Sequence, residues 1–185
     1  MNTQTLLSIV ADQREELLAN DYSELCPRPE ESQLDLKSNR AQVVIGVRRC
    51  GKSTLCEMFL KQKGIDFAYV NFDDDRMEDM KASDLDHLLE ALYMTYGEFK
   101  YLFLDEIQNI EGWPLFVNRL LRQKIHLFIT GSNSKLLSKE LSTHLTGRNN
   151  KVELYPFSYS EYCAMKNIDT TSLPEKWEPL PNYSH

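Results

Sequence analysis

Eight consecutive residues, Gly46-Val47-Arg48-Arg49-Cys50-Gly51-Lys52-Ser53, combine two glycines, a lysine and a hydroxyl at a spacing suited to a polyphosphate. Gly46 and Gly51 carry no side chain, so the backbone between them can curl its N–H groups around phosphate oxygens. Lys52 is placed to reach β- and γ-phosphate oxygens, and the Ser53 hydroxyl to ligate Mg2+. Thr54 ends the stretch expected to line the nucleotide. A glycine-rich turn with an incidental lysine is the bland alternative. The motif needs a strand before it and a helix after it, and both are expected here. Cys50, inside the loop, is either an activated thiol at a helix N-terminus or a small residue that fits.

A second constellation follows about fifty residues later. Tyr101-Leu102-Phe103-Leu104-Asp105-Glu106 is an apolar strand that delivers two carboxylates to one sheet edge. Asp105 is the expected Mg2+ partner, and Glu106 the base that polarises an attacking water. The next strand ends in Thr130, Ser132 and Asn133, any of which could sense the γ-phosphate, with Ser132 favoured; a helix N-cap is the competing role. Arg148, in Leu145-Thr146-Gly147-Arg148, is the candidate arginine finger, in cis or in trans. The side chains of Arg48 and Arg49 are expected to face solvent. Asp73, in the acidic run 73–75, either supports Glu106 and the metal or belongs to a solvated turn.

These groups need elements to hold them. Residues 5–20 have the apolar spacing of an amphipathic helix. Strands are expected at 41–45, 67–72, 101–104, 125–130 and 151–155. Helices are expected from Lys52, at 83–96 with Ser83 as N-cap, and at 113–123, 134–141 and 158–166. Apolar strands alternating with amphipathic helices indicate a mostly parallel five-stranded sheet covered on both faces, an α/β three-layer sandwich. The chain divides into a helix and connector (1–40), a core (41–167) and a Pro-rich tail (168–185).

The bulk properties narrow the function. The chain has 185 residues, enough for one domain, with 42% hydrophobic and 26% charged residues. A net charge of −7 argues against direct nucleic-acid binding by this segment, which normally needs a basic face. Cys26, Cys50, Cys56 and Cys163 show neither disulfide nor metal spacing, and no apolar run is long enough to span a bilayer. A cytoplasmic protein with no membrane association is expected.

Taken in order, GVRRCGKST, YLFLDEIQN, FITGSNSKLL, LTGR and VELYPFSYSEY resemble the prokaryotic AAA-type P-loop ATPases that carry a trailing uncharacterised domain. The resemblance runs from the first helix to about Lys166. It implies a P-loop NTPase sandwich that binds ATP and Mg2+, with Lys52 and Ser53 in the phosphate loop, Asp105 and Glu106 as metal and water pair, and the TGSNS group as sensor. It also implies ATP and ADP as ligands, and a homo-oligomer or a protein partner. The family usually continues into a C-terminal part, so a truncated chain is expected, and a helical lid is not evident. Hydrolysis of ATP to ADP and phosphate is the leading expectation; a nucleotide-gated binding module with little hydrolysis is the alternative. The guanine-selecting NKxD pattern is absent, which favours ATP.

Overall fold

The structure is a computed structural model that describes residues 1–22, 25–132 and 141–168. Its centre is a five-stranded sheet of β1 (Ala41–Gly46), β2 (Ala68–Asn71), β3 (Tyr101–Asp105), β4 (His126–Gly131) and β5 (Asn149–Leu154), in the order β2-β3-β4-β1-β5. Every pairing is parallel. Among the described residues the α-helices are α1 (Thr3–Ala19), α2 (Lys52–Gln62), α3 (Leu85–Tyr96), α4 (Trp113–Arg122) and α5 (Tyr159–Met165). The expected P-loop NTPase sandwich is therefore present, and its sheet is wholly rather than mostly parallel.

Strand alternation assigns the two faces. Val43 and Ile45 of β1, Leu102 and Leu104 of β3 and Leu127 and Ile129 of β4 pack with α1, α3 and α4. Their neighbours Val44, Phe103 and Phe128 point the other way and pack with Leu55, Cys56, Phe59 and Leu60 of α2. That second face is the functional one. Any side chain two residues beyond Phe103 or Phe128 emerges on the same side as α2, so the pleat aims Asp105 and Thr130 at the head of that helix.

One boundary differs from expectation. Ser83 does not cap a helix, because residues Ala82–Asp84 form a 3-10 turn and the α-helix begins at Leu85. Asp84 takes the reciprocal role by accepting from the Lys81 backbone N–H at 3.0 Å. The expected helix at 134–141 falls, apart from Leu141, outside the described residues, and so does the Pro-rich tail after Ile168.

Candidate functional site

The loop after β1 is shaped by two close constraints. Gly46 pairs in register with Leu154 of β5, and a Cβ there would lie 2.2 Å from the Leu154 carbonyl oxygen and 2.8 Å from Cys50 Sγ. Only hydrogen fits. Gly51, the N-cap of α2, has φ 95°, a left-handed conformation that glycine adopts without strain. Arg49 is also left-handed, at φ 66°, and Val47, Arg48 and Arg49 are exposed. Cys50 is buried, 3.4 Å from the Leu154 carbonyl, and burial pushes its thiol pKa up. The arrangement favours a small residue that fits over an activated thiol.

At the head of α2 the loop meets the acidic pair. The buried Lys52 ammonium lies 3.2 Å from Glu106 Oε1 and also donates to the Val47 carbonyl at 3.3 Å. The Ser53 hydroxyl donates to Asp105 Oδ1 at 2.8 Å. Thr130, at the end of β4, donates to the same Asp105 oxygen and accepts the Glu106 backbone N–H at 3.0 Å. β4 lies between β1 and β3, so its terminal residues sit between phosphate loop and acidic pair.

Asp105 is 4% exposed. Burial raises its pKa, opposed by the hydroxyls of Thr130 and Ser53. Glu106 balances differently. Burial pushes it up, but Gln108, Ser132 and Lys52 together outweigh that and leave its pKa lowered. Its backbone is left-handed at φ 52°, a conformation that non-glycine residues adopt at some strain and that turns the chain out of β3. Ser132 donates its backbone N–H to Glu106 Oε2 at 3.0 Å, and Gln108 its amide at 2.6 Å.

The donor set at Ser53 and Asp105 suits Mg2+: a hydroxyl and a carboxylate oxygen are hard ligands, and the ion commonly takes one or two protein oxygens with substrate phosphates supplying others. Among the described residues no three His, Cys, Asp or Glu side chains gather into an all-protein metal cage.

Two expectations place residues elsewhere. Arg148 sits at the opposite sheet edge, where its carbonyl accepts the Ala41 N–H at 2.9 Å and its guanidinium donates to Asn118. The length of β1, about 17 Å, separates it from Gly46. Asp73 pairs with Arg48 at 3.0 Å on the surface instead of with Glu106. The residue that β2 presents to the acidic pair is Tyr69, whose hydroxyl lies 3.5 Å from Asp105 Oδ2. Alternation along β2 could have pointed to it. Asn133 lies outside the described residues.

The sequence reading also missed a cavity of about 260 Å³ beside the loop, walled by Leu25, Cys26, Gly51, Thr54, Met58 and Phe157. It is mostly apolar and large enough for one end of a ligand. Arg28, almost fully buried, braces it. It donates to the carbonyls of Tyr155 at 2.7 Å and Cys50 at 3.4 Å and stacks over Phe157. Its Nε lies 2.9 Å from Glu161, close enough for an ion pair though not aligned as a hydrogen bond.

Parallel order, glycine loop and acidic strand end define a P-loop α/β protein. Residues 38–163 match the family described as AAA domain, and the chain belongs to that family, a class of nucleotide-binding domains. It is 41% identical over 138 residues to an uncharacterized protein of Methanocaldococcus jannaschii, covering 74% of this chain and 31% of that protein. It is 39% identical over 139 residues to an uncharacterized protein of Haemophilus influenzae, covering 71% of this chain and 35% of that protein. The chain thus spans about a third of the length of these relatives. No helix among the described residues is long and apolar enough to cross a membrane.

Proposed function

We propose that this chain binds ATP with Mg2+ at residues 46–54 and hydrolyses it to ADP and phosphate. The observation that carries the reading is the double contact at the head of α2, Lys52 on Glu106 and Ser53 on Asp105. It sets a phosphate-type lysine and a metal-type hydroxyl against a carboxylate pair within one hydrogen bond of each.

Backbone N–H groups of the loop and the N-terminus of α2 receive the β- and γ-phosphates. Lys52 exchanges Glu106 and the Val47 carbonyl for phosphate oxygens. That exchange uncovers Glu106 Oε1, which takes a proton from water as the water oxygen bonds to the γ-phosphorus. The bond from that phosphorus to the bridging oxygen breaks, and ADP carries the electron pair away. Ser53 and Asp105 would hold Mg2+, whose chemistry there would be neutralisation of charge on the phosphate oxygens. Thr130 keeps the Asp105 carboxylate turned toward Ser53, and the backbone of Ser132 holds Glu106. The cavity at Thr54, Met58 and Phe157 takes the adenine ring. Arg148 is left a role only in trans, on a neighbouring copy.

Phosphate release by wild type and Glu106→Gln tests the reading. The expected result is release by wild type, and a loss of at least about a hundredfold with ATP still bound in the variant. Wild type that binds ATP yet releases no phosphate would favour the nucleotide-gated module instead.

A further inference from the structure

Glu106 is held from three directions, and one of the holders takes no part in the phosphate chemistry. Oε1 faces Lys52, while Oε2 accepts both the Ser132 N–H and the Gln108 amide. The Gln108 contact, at 2.6 Å, is the shortest of the three. The same amide nitrogen lies 3.4 Å from Ser132 Oγ, so Gln108 ties the turn after β3 to the end of β4. Its own carbonyl oxygen is buried and has no partner among the described residues. Amides in folded interiors normally satisfy both ends. The Gln108 side chain is therefore oriented by its contact with Glu106 rather than by saturation of its own acceptor.

We propose that Gln108 is a positioning residue for hydrolysis: its amide pins Glu106 Oε2, so that Oε1 alone is presented to water once Lys52 turns to phosphate. The inference rests on the reading of Glu106 as the base. A single donor from Ser132 would leave the carboxylate a pivot about one bond. Two donors on one oxygen remove that freedom, which matters because Glu106 projects from a left-handed turn whose backbone alone does not aim it. Among the described residues the Gln108 amide donates to Glu106 and Ser132 and to no residue of the phosphate loop.

Gln108→Met keeps the length of the side chain and removes the donor; Gln108→Glu keeps the shape and places a second carboxylate against Oε2. For each, kcat is expected to fall about 10- to 100-fold, the range for a misplaced or unsupported catalytic group. ATP affinity and KM should stay within about threefold. Because Gln108 acts through Glu106, single-turnover rates should show Glu106→Gln/Gln108→Met no slower than Glu106→Gln alone. A folded variant of either kind with wild-type kcat, or losses that multiply in the double variant, would overturn the proposal. If Gln108→Met fails to fold, Gln108→Glu decides. Failure of these variants beside an active wild type removes only the positioning role; a wild type without turnover removes the base assignment as well.

Discussion

Glu57 offers a stability test that does not depend on catalysis. It lies one helical turn after Ser53 on α2, 5% exposed, with its carboxylate accepting from the Tyr22 hydroxyl and, at 3.4 Å, from the Asn20 amide. Burial, then the nearby Asp105 charge, raises its pKa from 4.5 to about 7. A carboxyl whose pKa is raised by folding keeps its proton in the native state after the unfolded chain has lost it. Stability therefore falls as pH rises from about 4.5 to about 7 and then levels off. About 2.5 units at about 1.4 kcal/mol each makes the whole loss roughly 3 kcal/mol. Glu57→Gln keeps an acceptor for Tyr22 and Asn20 and cannot ionise. Urea unfolding of both proteins from pH 4.5 to pH 8 should give curves that meet near pH 4.5. At pH 8 the variant should be more stable by up to about 3 kcal/mol, or roughly 6–12 °C in melting temperature. Parallel curves across that window would refute the claim that Glu57 is buried against its charge.

Gly46→Ala must push the end of β5 away, because the new methyl meets a backbone oxygen. A loss of about 1–3 kcal/mol is expected in urea unfolding, with weaker ATP binding. Arg148→Ala should leave ATP affinity of the isolated chain within about twofold, as for a surface substitution remote from the ligand. A larger loss in equilibrium binding would mean that Arg148 reaches the loop after all.

The chemistry-bearing residues were legible where the motif is local. Gly46, Gly51, Lys52 and Ser53 follow from one strand–loop–helix unit, and Asp105 and Glu106 from the end of an apolar run. A mostly parallel five-stranded sheet followed from the same alternation of strands and helices; that every pairing is parallel did not. What escaped depended on register and long-range packing. Tyr69 reaches Asp105 only because β2 lies beside β3 with odd-numbered residues on the α2 face. Arg148 reads like a finger in one dimension, yet the pairing of Ala41 with Asn149 puts it at the amino edge of the sheet. The cavity joins Leu25 and Cys26 to Pro156 and Phe157, segments that no local pattern links. Ser83 lost the N-cap position because Ala82–Asp84 form a 3-10 turn, in which Asp84 accepts the Lys81 N–H, and the α-helix begins only at Leu85.

Equilibrium binding of ATP with Mg2+ to wild type and Lys52→Ala bears most directly on the whole account. Lys52 is the one side chain that must leave Glu106 for phosphate oxygens, and a charge-assisted bond of about 1.5–3 kcal/mol lost corresponds to roughly a 10- to 150-fold weaker complex. That loss, in a chain that remains folded, is the predicted result. Undiminished affinity would mean that the nucleotide lies somewhere other than the head of α2.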